Sequence, residues 1–144
     1  MFIRSVEARD YHDIYSLNVS LNPKLAAFVA ERVKEQIVNL ISAKEDIILV
    51  AEEDNKVIGF IHGSPYHTMF SEPLLLIKAL VVREDFRSIG LGSKLLESVE
   101  ERAQALSLKG IRLNCRKERE KTHAFYERNG YKNTKQQLNF IKLF

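Results

Sequence analysis

The chain has 144 residues, 45% of them hydrophobic, enough for one folded domain with its own core. A net charge of +3 and a pI near 9.0 are too slight to mark a nucleic-acid binder, and no basic stripe interleaved with aromatics is present; the balance suits an anionic small ligand. The single cysteine, Cys115, excludes an intramolecular disulfide or a cysteine zinc cluster and points to a reducing compartment.

In chain order, Phe2 to Val6 reads as a short strand and Ala8 to about Asn18 as a helix. Charges at Arg4, Glu7, Arg9 and Asp10 leave no apolar signal region here, so a cytoplasmic protein is expected. Asn22-Pro23 starts a second helix, and Leu25, Val29, Val33, Ile37, Leu40 and Ile41 carry it at helical spacing to about Ala43. Ile47 to Glu53 and Lys56 to His62 are strand-like, joined at Asp54-Asn55 in a hairpin. Leu74 to Val82 is the longest apolar run, far short of a membrane span, and is broken by Lys78. Apolar on both faces, it reads as a central, covered strand. Leu91, Leu95, Leu96, Val99, Ala103 and Leu106 form the stripe of a third helix, expected to stop near Lys109-Gly110. Ile111 to Cys115 is a further strand, Arg119 to Asn129 a short helix, and Tyr131 to Thr134 and Leu138 to Phe144 a closing pair of strands. No repeat, linker or low-complexity segment interrupts the chain. The order gives an α/β chain of the α+β type with a mixed sheet.

The stretch RSIGLG at 87–92 places two of only six glycines between a strand and a helix. Such a junction aims unpaired backbone N–H groups and the positive end of the helix dipole at one point, which suits a phosphate. It is not a Walker A loop, because Gly92 is followed by Ser93-Lys94 in reverse order. It is not a dinucleotide fingerprint either, because position 95 is Leu. Taken alone, Gly90 and Gly92 read equally well as a tight turn.

The longer segment LVVREDFRSIGLGSKLLESVEERA, followed by HAFYERNGY, resembles the GNAT superfamily of acyl-CoA-dependent N-acetyltransferases. Arg87, Gly90 and Gly92 match that family's pyrophosphate motif, and Phe125 to Tyr131 its second signature. The resemblance implies a single-domain fold over residues 1–144, with a mixed, mostly antiparallel sheet of about six to seven strands flanked by about four helices. It implies transfer of an acetyl group from acetyl-CoA to a primary amine of a small molecule or peptide by direct attack, with no metal. In such a site the backbone of Leu80, Val81 and Val82 pairs with the pantetheine arm. The amides of Ser88, Ile89, Gly90, Leu91, Gly92 and Ser93 hold the pyrophosphate beside Arg87. Tyr126 protonates the departing thiolate, a role a nearby phenol can fill; its plain alternative is a core aromatic next to Phe125.

Several positions depart from the family's pattern. Many relatives carry a glutamate base where this chain has Lys78, so the base is missing, and a non-catalytic acyl-CoA-binding module is the competing reading. Many carry an asparagine for pantetheine where Arg119 stands, which could instead reach a phosphate; Asn114 is a second candidate for the cofactor. His123 reads as a helix-surface residue. His62 and His67 lie in a segment that shapes the acceptor pocket in relatives and, lacking a third ligand, make no metal site. Cys115 reads as a small packing residue. The run RKEREK at 116–121 is a solvated helix start. Dimers are common among relatives, and NFIKLF at 139–144 is a candidate edge for a homodimer.

Overall fold

The computed structural model describes residues 1–144 and divides them into two compact units, Met1–Leu113 and Asn114–Phe144. In the first, β1 (Phe2–Ser5) leads through a single 3-10 turn (Ala8–Asp10) into α1 (Tyr11–Leu21). A second 3-10 turn (Pro23–Ala27) precedes α2 (Ala30–Ala43), then come β2 (Ile47–Glu53), β3 (Lys56–Tyr66) and β4 (Leu74–Val82). A third 3-10 turn (Glu84–Ile89), α3 (Leu91–Ala105) and β5 (Ile111–Leu113) complete the unit. The sheet has the order β1-β2-β3-β4-β5, antiparallel throughout except for the parallel β4–β5 pair.

The β2–β3 hairpin turns at Asp54 and Asn55, both with positive φ (50° and 62°). That is the left-handed pair that matches strand twist, and these residue types tolerate it best. Two irregularities in register shape the middle of the sheet. Between Ala51 and Glu52 the β2–β3 pairing slips, so that His62 faces Ile48. Between His62 and Gly63 the β3–β4 pairing slips again: His62 faces Ala79 and Gly63 faces Ile77, leaving Lys78 as the extra residue of a bulge.

Alternate strand residues build two cores. On one face Val50, Val57, Phe60 and Val81 pack with Ile14 and Leu17 of α1 and Ile37 of α2, joined by Ile48, Ala79, Tyr11 and Val33. On the other, α3 buries Leu91, Leu95, Leu96 and Val99 completely, each worth about 1.5–3 kcal/mol of transfer free energy. A Cβ at Gly59 would meet Leu95 and Leu91 at 3.3 and 3.5 Å, so α3 lies directly on β3 there.

At the first edge of the sheet, Arg4 grips Asp10 with two 2.9 Å hydrogen bonds and Glu52 with a third. Asp10 and Glu52 are only 4% and 5% exposed, so the guanidinium neutralises two buried carboxylates at once.

Three expectations are corrected. The second helix is two elements, because Phe28 and Val29 are extended and Leu25, Phe28 and Val29 stay exposed; a continuous helix would bury nothing by including them. α3 ends at Ala105, with Ser107 rather than Gly110 in the left-handed region. Gly110 instead opens the β4–β5 pairing, its carbonyl accepting from the Leu75 amide at 2.9 Å. Finally, the sheet has five strands and not six to seven, because residues 131–144 form none.

The second unit holds α4 (Glu120–Arg128), which ends at Asn129 and at Gly130 with φ +89°, the Gly130 amide bonding Glu127 O. Past it, Leu138, Phe140, Ile141, Leu143 and Phe144 are exposed. Strand propensity in NFIKLF is a capacity to pair, and no strand pairs with it here.

Candidate active site

β4 runs to Val82, but β5 pairs only with Leu75, Leu76 and Ile77. From Lys78 to Val82, β4 therefore has β3 on one side and no strand on the other. Five residues of backbone are left unpaired along the open edge past β5, a slot able to take an extended ligand as an added strand. Leu80, Val81 and Val82 all lie along it.

The slot runs into the glycine loop. Gly90 has φ +81° and sits at the N-terminus of α3. The first intrahelical bond there is Lys94 N to Gly90 O, at 3.1 Å, so the preceding amides of Leu91, Gly92 and Ser93 have no acceptor within the helix. A Cβ built on Gly90 meets nothing within 4 Å, and Ser88, Ile89 and Gly90 are exposed. The Arg87 Nε donates to Val82 O at 3.0 Å, tying loop to strand. Arg83 beside it is bound to Asp85 at 2.7 and 3.0 Å and stacks over Phe86. The structure thus brings Leu80, Val81, Val82, Arg87, Ser88, Ile89, Gly90, Leu91, Gly92 and Ser93 together along one line, ending at the positive pole of a helix of 15 residues.

At the slot's other end lies a cluster that sequence reasoning missed. His62 Nε2 is 2.6 Å from Asp46 Oδ2, and the Lys78 Nζ is 3.8 Å from the same oxygen. Burial pushes the Asp46 carboxyl up, but hydrogen bonds from His62 and Ser64 and the charges of His62 and Lys78 outweigh it, and the net shift is downward. Asp46 is a carboxylate held in place. Lys78 is its ion-pair partner and is 46% exposed. No group of three or more His, Cys, Asp or Glu is arranged to hold a metal.

Asn114, Arg119 and Tyr126 belong to the second unit. Asn114 lies just past the end of β5, and Arg119 is the N-cap of α4. Tyr126 is half-buried, with Phe125 and Tyr131 edge-on at 5.2 and 5.7 Å. Burial raises its phenol, Cys115 adds to the rise, and Arg119 opposes it, so the hydroxyl keeps its proton at neutral pH. His123 donates from Nε2 to Arg116 O at 2.7 Å, tying its helix to the segment just before it. Among the aromatics, Phe70 is fully exposed, Tyr15 donates to Ala26 O at 3.3 Å, and Tyr66 lies under Arg112.

The chain belongs to the acetyltransferase (GNAT) family, whose sequence profile matches residues 10–131. An uncharacterized N-acetyltransferase of Bacillus subtilis (strain 168), YhfO, is 30% identical over 88 residues, covering 60% of this chain and 59% of that protein. The aminoglycoside acetyltransferase AAC(6')-Iy, solved with a bisubstrate analog joining CoA to acetylneamine, superposes with a TM-score of 0.85 at 17% identity, over 99% of this chain and 98% of that one. Glucosamine-6-phosphate N-acetyltransferase from Arabidopsis thaliana does so with a TM-score of 0.79 at 20% identity, over 97% of both. At those identities the two structures share the fold. No helix of the chain is long and apolar enough to cross a membrane.

Proposed function

We propose that residues 1–144 form one acetyl-CoA-dependent N-acetyltransferase domain, acting in the cytoplasm on a primary amine of a small molecule or peptide by direct attack. The observation that carries this reading is the unpaired edge of β4 running into the Gly90 loop at the N-terminus of α3. An extended, amide-bearing arm fits the first part and a pyrophosphate the second. Pantetheine joined to a nucleotide has that form. The names carried by relatives, an aminoglycoside acetyltransferase bound to a CoA conjugate among them, support the same cosubstrate.

In this mechanism the arm lies along Leu80, Val81 and Val82, and the amides from Ser88 to Ser93 with Arg87 hold the pyrophosphate. The amine attacks the thioester carbonyl, a backbone N–H near Val81 or Val82 stabilises the developing oxyanion, and Tyr126 protonates the thiolate. Asn114 and Arg119 take further cofactor contacts. The second reading, a non-catalytic acyl-CoA-binding module, is favoured by Lys78 standing in an ion pair where relatives have a base.

One experiment separates the two: calorimetric titration with acetyl-CoA, then thiol release measured with a panel of primary amines. Binding followed by amine-dependent thiol release is expected. Binding without release from any amine favours the binding module, and absence of binding overturns both. A homodimer joined through residues 139–144 belongs to the same proposal. Light scattering of the full chain should then give twice the mass found after deletion of those residues.

A further inference from the structure

Direct attack needs a group to take a proton from the amine nitrogen, and Lys78 is occupied by Asp46. Resting on the transferase reading above, we propose that His62, oriented by Asp46, is the general base of the transfer.

Four observations place it. His62 shares a face with Phe60 of β3 and sits between Ile48 of β2 and Ala79 of β4, both packed on the side covered by α1 and α2. Ala79 belongs to the unpaired run of β4, so His62 stands one strand spacing, about 5 Å, from that run and two, about 10 Å, from an arm laid along its free edge, a gap that a bound amine and a bridging water span. Its Nε2 is engaged by a buried carboxylate at 2.6 Å, which fixes the ring and places the proton on that nitrogen. Nδ1 is left as the acceptor, with no hydrogen-bond partner in the protein. Finally, the bulge at Lys78 pushes one residue out of the ladder at this point, opening the strand beside the imidazole.

The charged and titratable groups on this face are few. Asp46, at the entrance to β2, and Lys78, from β4, adjoin the ring. Among the side chains α1 and α2 bring to the core, Tyr11 alone titrates; its hydroxyl donates to Glu31 at 3.4 Å, and burial raises it. In the transfer step the amine nitrogen bonds to the carbonyl carbon and gives one proton to Nδ1. The C–S bond breaks with its electron pair on sulfur, and the thiolate takes one proton from the acid. Solvent then removes the proton from His62 and restores it to the acid.

Asp46 touches no substrate and acts as a positioning residue. The test is steady-state kinetics of the wild type, His62→Gln and Asp46→Asn between about pH 5 and 8, with acetyl-CoA affinity measured alongside. His62→Gln should lower kcat by about a hundredfold, leave the acetyl-CoA Kd within about twofold, and abolish the acid limb of the wild-type profile. Asp46→Asn should lower kcat by about tenfold and leave the acetyl-CoA Kd within about twofold, because the ring is no longer held in its reacting orientation. A His62→Gln enzyme with the wild-type rate and profile overturns His62 and leaves the transferase reading standing, whereas a wild type that binds acetyl-CoA and acetylates nothing overturns both. Should His62→Gln fail to fold, an Asp46→Asn enzyme with the wild-type kcat overturns the assignment.

Discussion

The pyrophosphate assignment can be tested at Gly90 by charge alone. With φ at +81° any side chain there is strained, but Asn and Asp are the residues that tolerate the left-handed region best, and they strain it equally, by about 1 kcal/mol. The space is open, with nothing within 4 Å of a built Cβ, so neither clashes. Gly90→Asn and Gly90→Asp are therefore matched in shape and differ by one negative charge. A carboxylate about 5 Å from the nearer phosphate, at an effective dielectric of about 20, opposes binding by about 3 kcal/mol. Calorimetry at low salt should accordingly find acetyl-CoA bound roughly 150-fold more weakly by Gly90→Asp than by Gly90→Asn, and the gap should narrow as salt is added. Equal dissociation constants for the two variants at low salt would refute the placement of the pyrophosphate at this loop.

Tyr126→Phe keeps the edge-on contacts with Phe125 and Tyr131, so the fold should hold while amine-dependent thiol release falls roughly tenfold or more; an unchanged kcat removes Tyr126 from the mechanism. Arg4→Met strands two buried carboxylates and should destabilise the protein by about 3–5 kcal/mol in urea unfolding. The same network sets an acid limit. Burial pushes the Asp10 carboxyl up, but Arg4 and the Glu7 amide pull it below its ordinary value, so its contribution is complete above about pH 4 and is lost as the pH falls further. In Arg4→Met that acid loss should be shallower, since an unpartnered buried Asp10 takes a proton readily. Gly63→Ala would set its Cβ 2.7 Å from a methyl of Leu75, which is fully buried and has nowhere to move; thermal unfolding should show a loss of about 1–3 kcal/mol.

Local chemistry made much of this fold legible. Asp54-Asn55 announces its turn because few residues accept two consecutive positive φ values, and the α3 stripe and the glycine loop follow from spacing. Register was harder to read. Counted back from the hairpin turn without irregularity, Ile47 would face His62; the slip at Ala51/Glu52 brings Ile48 opposite instead and so decides which face His62 occupies. Nothing in VIGFIHG marks that slip, and nothing in LLLIKALVV marks the bulge at Lys78. Asp46 could have been found only by carrying the correct register one residue beyond β2. The Arg4–Asp10–Glu52 network joins residues 48 apart in sequence, and charge patterning along the chain holds no trace of it. The closing strands failed for a related reason: apolar alternation reports readiness to pair and says nothing of the neighbour.

The open edge of β4 also bears on how long the protein lasts. Unpaired backbone from residue 78 to 82, inside a sheet that is otherwise closed on both sides of β4, is a template for any extended peptide that reaches it, including that of an unfolding neighbour. A small molecule laid along it shields the edge and stabilises the folded state by mass action, about 2.7 kcal/mol at a hundred times its dissociation constant. The survival of this chain under heat or proteolysis thus becomes a gauge of how much of that molecule its surroundings supply.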